Sequence, residues 1–171
     1  GLYAIYCQNK FNFEISEVGI FTILNVTAMG FFSYISGNTG DKFGHKYSLV
    51  MAYALHLLAI LLVLYSKNML WVYCVFIAVG AGQGAFMPSA MNLIYDFAGE
   101  RDKKTYMALI DSFLAPFAVI FILGTGSLVN NGKYILSLFI MGGCLVVAII
   151  ILYFFVKDPR HNTNQIIYSE K

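Results

Sequence analysis

Long runs of apolar residues, separated by short polar segments, make up most of the chain. A helix needs about 20 such residues, at roughly 1.5 Å each, to cross the hydrocarbon core of a membrane. The runs therefore predict five full transmembrane helices, preceded by an N-terminal helix stub. The predicted bounds are 1–9 (partial), 16–38, 47–66, 69–97, 104–129 and 134–156. We expect a transmembrane helical bundle over 1–157 and a C-terminal tail over 158–171.

Polar residues and proline mark the ends and irregularities of these runs. Ser16 is the predicted cap of the first full span, and Gly37 with the charged segment after it predicts where that span ends. Asn68 and Asp102 are the predicted caps of the third and fourth spans. Pro88 predicts a bend in the third span, because proline removes one backbone hydrogen bond.

The composition agrees with a membrane location. With 59% hydrophobic and 12% charged residues, the chain has too few polar side chains to cover a soluble globule of 171 residues. We therefore expect an all-α integral membrane protein whose first partner is the lipid bilayer. The net charge of +2 comes from loop lysines and not from a basic face, so nucleic acid is not an expected partner. The three cysteines are widely spaced, and no disulfide, metal site or cofactor is predicted.

The basic residues predict the orientation, because lysine and arginine near the ends of spans are retained on the cytoplasmic side. They divide unequally between alternate loops. One face collects Lys42, Lys46, Arg101, Lys103, Lys104, Lys157, Arg160 and Lys171, and the other holds Lys10, Lys67 and Lys133. The C-terminal tail is therefore predicted to be cytoplasmic.

The segment between the first two full spans has the most informative pattern, Gly37-Asn38-Thr39-Gly40-Asp41-Lys42-Phe43-Gly44-His45-Lys46. Gly37 would allow two helices to approach closely, and Gly44 permits backbone angles that other residues avoid. Asp41 beside Lys42 and Lys46 predicts a compact latch of salt bridges.

This segment resembles the G-x-x-x-D-[RK]-x-G-[RK]-[RK] loop of the major facilitator superfamily, which joins the second and third helices of each six-helix half. His45 stands where that family usually has arginine or lysine, and Thr39 and Gly40 replace commoner apolar residues. Residues 15–22 are similar to the start of the eighth helix in bacterial drug and metabolite transporters of the superfamily. The ending over 156–160 is similar to the segment that follows a half's last span.

The resemblance implies the C-terminal half of such a transporter, from the end of helix seven to helix twelve. It implies secondary active transport of a small solute by alternating access, with the N-terminal half as partner and the proton as a candidate coupling ion. The bacterial inner (plasma) membrane is the expected location. A receptor or scaffold with the same fold is the alternative. A membrane-embedded enzyme is less favoured, because the sequence offers no clustered metal ligands and no nucleophile beside a base.

The resemblance also assigns a gating role to the motif, which contacts neighbouring helices when the transporter is closed to the cytoplasm. An acid at the end of helix ten is its partner in the family. Asp96 occupies that place here, with Glu100 as a substitute. The predicted gating residues are Gly37, Asp41, Lys42, Gly44, Lys46 and Asp96.

Polar residues inside the spans are the candidates for a solute or ion pathway. An unpaired polar group in hydrocarbon costs several kcal/mol, so it must face protein or water. The candidates are Asn25, Gln83, Ser89, Asn92 and Asp111. For Asn25, lining a cavity and packing against a helix are both open. Asp111 would bind a cation or a proton, or be an acid hydrated from the inner surface. His56 is expected to be a hydrogen-bonded structural histidine.

Overall fold

The computed structural model describes residues 2–98 and 102–156 and, in these ranges, contains helices and no strands. Six helices follow one another: α1 Leu2–Phe11, α2 Ile15–Phe43, α3 His45–Tyr65, α4 Met69–Ala98, α5 Lys103–Asn130 and α6 Tyr134–Phe154. Helices α2 to α6 are long and apolar enough to cross a membrane, and α1 is the short first helix. The predicted all-α fold with five spans and a stub is thereby confirmed. The predicted tail over 158–171 and Glu100 lie outside the described residues.

The end of α2 is the largest difference from the predicted bounds. The helix continues to Phe43 instead of ending at 38, so Gly37 lies inside it. Only Gly44 separates α2 from α3, with φ at 99° and its N–H donating to the carbonyl of Gly40 at 2.9 Å. Glycine at a positive φ is a common helix stop, whereas charged residues at a membrane surface continue a helix without penalty. The prediction that Gly37 ends the span was therefore wrong.

The start of α2 also differs from the prediction. Its cap is Glu14 and not Ser16. The carboxylate of Glu17, in the first turn of the helix, accepts a hydrogen bond from the Glu14 N–H at 3.0 Å. This bond satisfies one of the donors that a helix start leaves without an intrahelical partner.

The predicted caps of α4 and α5 are confirmed. The side-chain oxygen of Asn68 accepts from the Trp71 N–H at 3.4 Å. The Asp102 carboxylate accepts from the Lys104 N–H at 3.0 Å. Such caps satisfy donors at a helix start, so short polar connections suffice between these spans.

Helix α4 is the centre of the bundle, since its contacts with α2 and with α3 are the two most extensive helix contacts of the described structure. Helix α6 rests on α3. Helix α5 touches α4 and α6 at few points and, within the described bundle, has no buried residue. The largest buried apolar cluster includes Phe21, Val63, Val75 and Leu138, from α2, α3, α4 and α6 respectively.

Three alternate glycines make these contacts of α4 close. A Cβ on Gly80 or Gly84 would collide with the backbone carbonyl of Asn25 or Met29 in α2. A Cβ on Gly82 would meet the imidazole of His56 in α3. The close approach of α2 and α3 to this glycine segment fixes which side chains meet in the middle of the bundle.

Candidate functional site

A cavity of about 430 Å³ lies where the middle of α4 meets α2, α3 and α6. Gln83 and His56 contribute to its wall, each from near the midpoint of its helix. Its lining consists of Met29, Tyr53, His56, Gln83, Phe86, Met87 and Leu145. The cavity thus combines apolar walls with three polar side chains, those of Tyr53, His56 and Gln83, near the middle of the predicted spans.

The polar groups of this cavity differ in how they are satisfied. Nδ1 of His56 lies 2.9 Å from the carbonyl oxygen of Ala52, one turn earlier in α3. This bond confirms the expected hydrogen-bonded histidine. The Gln83 side chain is exposed, and no described residue forms a hydrogen bond with its amide. Because an unpaired amide is costly in hydrocarbon, Gln83 requires water, a ligand or further protein beside it.

Asn25 also carries its amide near the bundle centre, but here the amide is occupied. Its Nδ2 donates to the backbone carbonyl of Phe76 in α4 at 3.1 Å. The residue lies beside the contact between Gly80 and α2, and its side chain is half-buried. Of the two roles left open for Asn25, the contacts in the described bundle correspond to helix packing.

Ser89 lies in a buried cluster of serine hydroxyls between α2, α3 and α4. The oxygens of Ser36 and Ser89 are 2.6 Å apart, and both hydroxyls lie within 2.9 Å of the Ala85 carbonyl. The Ser48 hydroxyl donates to the Ser36 carbonyl at 3.0 Å. With its side chain 1% exposed, Ser89 is placed inside a helix contact and not on the wall of the central cavity.

The serine cluster lies in the turn that Pro88 interrupts. Proline has no N–H to donate, yet α4 is continuous from Met69 to Ala98. Serine hydroxyls from the same helix and from a neighbour can supply donors where proline disturbs a membrane helix. The carbonyl that Pro88 leaves without its N–H donor is that of Gly84, whereas the hydroxyls of Ser36 and Ser89 both bind the next carbonyl of the same turn, that of Ala85.

The remaining two pathway candidates lie elsewhere. Asn92 is half-buried on α4, about two and a half turns beyond Gln83, and does not line the cavity. Asp111 is exposed on α5, about 12 Å along the helix from Lys103, and no ion pair in the described part of the chain involves it. Of the five predicted pathway residues, the structure places only Gln83 on the wall of this cavity.

The motif forms the joint between α2 and α3 around Gly44. His45, the first residue of α3, is 1% exposed, and its Nε2 lies 3.9 Å from Oδ1 of Asp41, which is exposed. A Cβ on Gly40 would collide with the His45 ring. The motif histidine is therefore a buried packing element that also faces the Asp41 carboxylate.

Lys46 links the motif to α6. Its Nζ donates to the backbone carbonyl of Tyr153 at 2.9 Å and lies 5.6 Å from the centre of that ring. A lysine at a helix C-terminus is favourable, because the last carbonyls carry partial negative charge. The expected salt bridges from Asp41 to Lys42 and Lys46 are not formed among the described residues.

Two other gating candidates have different surroundings. No atom outside its own helix lies within 4 Å of a Cβ built on Gly37, so the expected close approach there is absent from the described bundle. Asp96 is half-buried near the C-terminal end of α4. It lies on the same helix as Gln83, toward the end of the bundle that carries the motif.

A second lysine link, which the sequence did not predict, lies at the other end of the bundle. Nζ of Lys10, in α1, donates to the carbonyl and hydroxyl oxygens of Ser66 at 2.7 and 3.2 Å. Ser66 follows the last residue of α3 and is buried. The two lysine links therefore lie at opposite ends of α3, and each one binds the carbonyl at a helix end.

The arrangement of spans, motif joint and mid-membrane cavity can be compared with known families. The family model described as Major Facilitator Superfamily matches residues 1–169. The chain belongs to the major facilitator superfamily. This confirms the family inferred from the motif and makes the chain part of a membrane transporter. No curated protein and no solved structure matches the chain.

Membership in the superfamily gives the motif joint and the cavity a context. Among the described residues, no group of three or more histidine, cysteine or acidic side chains is positioned to hold a metal ion. The cavity wall offers hydrogen-bonding groups and apolar surface near the middle of the spans, and Lys10 and Lys46 link helix ends at opposite ends of the bundle.

Proposed function

We propose that this chain forms the C-terminal half of a secondary active transporter, which moves a small solute across a bacterial inner membrane by alternating access. In such a mechanism two helical halves rock about a site near the membrane midplane. The N-terminal half is the proposed partner. The open face of α5, which includes Asp111, is the proposed surface toward that half.

The observation that carries the proposal is the joint at Gly44. One residue separates α2 from α3, and Lys46 connects the start of α3 to the end of α6 at 2.9 Å. Three helix ends are thereby tied at the face that carries Lys42 and Lys46, which we assign to the cytoplasm. Helices linked in this way move as one body, as a rocking mechanism requires.

The gate is proposed to include the predicted motif residues and Asp96. Asp41 is exposed beside His45, so its carboxylate is available to pair with a basic group of the other half. The proposed pathway passes Gln83, whose amide has no hydrogen bond to a described residue. We also assign Asn92 and Asp111 to this pathway, although they lie on other helix faces than the one at the cavity. Asn25 and Ser89 are proposed to support the pathway through helix packing.

The test uses a protein in which Cys7, Cys74 and Cys144 are replaced by alanine and Gln83 by cysteine. A membrane-impermeant maleimide is applied to right-side-out and to inside-out vesicles. Alternating access predicts modification from both sides. Adding Asp41→Ala, which weakens closure on the cytoplasmic side, should raise the rate from that side and lower the rate from the other.

The reciprocal change separates a transporter from the alternatives. A receptor or scaffold with the same fold predicts no reciprocal change when Asp41 is replaced, and an open channel predicts fast modification from both sides at once. A cysteine at position 77, on the exposed face of α4, is the control for reagent that reaches the membrane interior nonspecifically. Modification of position 83 at the same rate as position 77 would contradict the proposed pathway.

A further inference from the structure

We propose that the cavity between α2, α3, α4 and α6 binds a small neutral amphiphile. Its hydroxyl, carbonyl or amide group would bind Gln83 and His56, and its apolar body would lie against the other walls. The inference goes beyond the proposed function, because it concerns binding and holds whether or not the ligand is transported.

The walls determine the apolar and neutral character of the ligand. Met29, Phe86, Met87 and Leu145 supply apolar surface, and no lysine, arginine, aspartate or glutamate belongs to the lining. An ion would lose its hydration in such a place without gaining a counter-charge. Methionine side chains are flexible and polarisable, so they adapt to apolar bodies of different shape. The volume of about 430 Å³ lies within the range of about 300–1,000 Å³ that is usual for small-molecule sites.

The polar side chains determine the group that the ligand must carry. A carbonyl oxygen only accepts hydrogen bonds, so the contact of 2.9 Å with Ala52 requires the proton of His56 on Nδ1. In the neutral ring Nε2 is then an acceptor. The Gln83 amide offers both a donor and an acceptor, and neither is used by a described residue. A hydroxyl group, which donates and accepts, can satisfy both side chains at once.

The contacts of α4 explain why the two polar groups line the same cavity. Gly82 packs against the His56 ring and precedes Gln83 directly in the chain. A larger residue at 82 would displace the imidazole of His56 from its place beside α4. Met87, one turn beyond Gln83, is 60% exposed, so the cavity opens at the surface of the described helices. A ligand dissolved in the membrane or in the pathway can therefore enter.

The experiment uses the protein in lipid nanodiscs and a diazirine derivative of 1-octanol as the photoreactive probe. After irradiation, the modified residues are identified by mass spectrometry of peptides. We expect adducts to concentrate on the lining residues, above all Met29, Tyr53 and Met87. An excess of 1-octanol should prevent labelling, whereas octanoate at pH 8 and the same concentration should not, because it is charged.

Two kinds of variant test the assigned groups. Gln83→Leu and His56→Phe should each reduce labelling about two- to tenfold, as expected for one lost hydrogen bond. Thr27→Val, which removes a polar group from an exposed position of α2 outside the cavity, should leave labelling unchanged. Met87→Trp should block the cavity from its exposed rim, and it provides a test even if a substitution at Gln83 or His56 prevents folding.

Three results would overturn the proposal. The first is an even distribution of adducts over exposed faces such as that of α5, as for a probe that merely dissolves in the lipid. The second is labelling that Met87→Trp leaves unchanged, or that both polar substitutions leave unchanged in folded protein. The third is equal competition by octanoate and octanol. All three results concern ligand binding alone. A failed binding proposal is therefore distinguishable from a failed maleimide test for alternating access.

Discussion

Gly40 and His45 occupy adjoining space at the joint between α2 and α3. A Cβ on Gly40 would collide with the imidazole of His45, which is 1% exposed and so does not reach solvent. Both positions differ from the usual pattern of the superfamily motif, which has a commoner apolar residue at the first and arginine or lysine at the second. The two departures therefore belong together: a buried ring at position 45 needs a residue without a side chain at position 40.

Replacing Gly40 by alanine should destabilise the protein. Extra atoms in a packed site cost about 1–3 kcal/mol, which should appear in the free energy of unfolding measured by SDS titration in mixed micelles. Gly37→Ala is the matched control, because it lies in the same helix with open space around it. Alanine there should stabilise the helix by roughly 0.5–1 kcal/mol. Removing the ring, in Gly40→Ala with His45→Ala, should recover part of the loss, and equal effects of the two single glycine variants would contradict this account.

The glycines of α4 should respond according to what faces them. Gly80→Ala and Gly84→Ala place a Cβ against backbone carbonyls of α2, which cannot rotate away, so the two helices must separate. We expect losses at or above about 1–3 kcal/mol for each. Gly82→Ala meets only the half-buried side chain of His56 and should cost less. Gly143→Ala in α6, with no neighbour within 4 Å, should stabilise its helix by roughly 0.5–1 kcal/mol in the same unfolding assay, as at Gly37.

Much of the fold was predictable because the number and approximate bounds of the helices follow from the lengths of the apolar runs. The candidate site was less predictable from the sequence. Asn25 and Gln83 are both mid-span amides, and no sequence pattern distinguishes them. The difference is that a carbonyl of the neighbouring helix lies 3.1 Å from one amide, whereas no described partner faces the other. Whether an amide finds such a partner depends on how α4 is rotated against α2. The contacts of Gly80, Gly82 and Gly84 fix this rotation, but the sequence does not tell which helix faces each glycine.

For the same reason, the residues on the other side of the cavity could not be predicted from the sequence. His56 was noticed as a polar residue in the middle of a span, but Tyr53 and Leu145 fit the ordinary periodicity of apolar helices. Their common wall arises from the contact between α3, α4 and α6. The motif, in contrast, was recognisable from its residue types, and the positive φ of Gly44 confirmed the conformational role predicted for it.

Lys46→Met should weaken the attachment of α6 to the motif. The substitution keeps an apolar side chain but removes the donor to the Tyr153 carbonyl and the positive charge at that helix end. Charge at a helix terminus contributes about 0.3–1 kcal/mol, so unfolding should become easier by about that amount. Hydrogen exchange over 151–155 should accelerate. Lys42→Met is the control, since no described residue pairs with Lys42. Equal acceleration of exchange in both variants would show that the loss of positive charge, and not the loss of the hydrogen bond to Tyr153, is responsible.

The cap of α5 should depend on pH in a defined direction. The Thr105 hydroxyl, at 2.7 Å, and then the backbone N–H groups of Lys104 and Thr105 hold the pKa of the Asp102 carboxyl below its ordinary value of 3.8. The folded state thus binds the proton less readily than the unfolded state. The stabilisation by this cap is therefore complete above pH 3.8, declines as the pH falls below that value, and is lost once the pH passes the lower folded pKa.

Carbon NMR of the Asp102 carboxyl in micelles measures that pKa directly. Thr105→Ala removes the strongest of the bonds and should move the pKa back toward 3.8, whereas Thr105→Ser keeps a hydroxyl and should leave it low. In Asp102→Asn the cap is retained without a titrating group, so exchange of the Lys104 amide, corrected for its intrinsic rate, should lose its acid dependence. An Asp102 pKa that is the same in the alanine and serine variants would show that the hydroxyl does not hold the charged form, leaving the backbone donors as its cause.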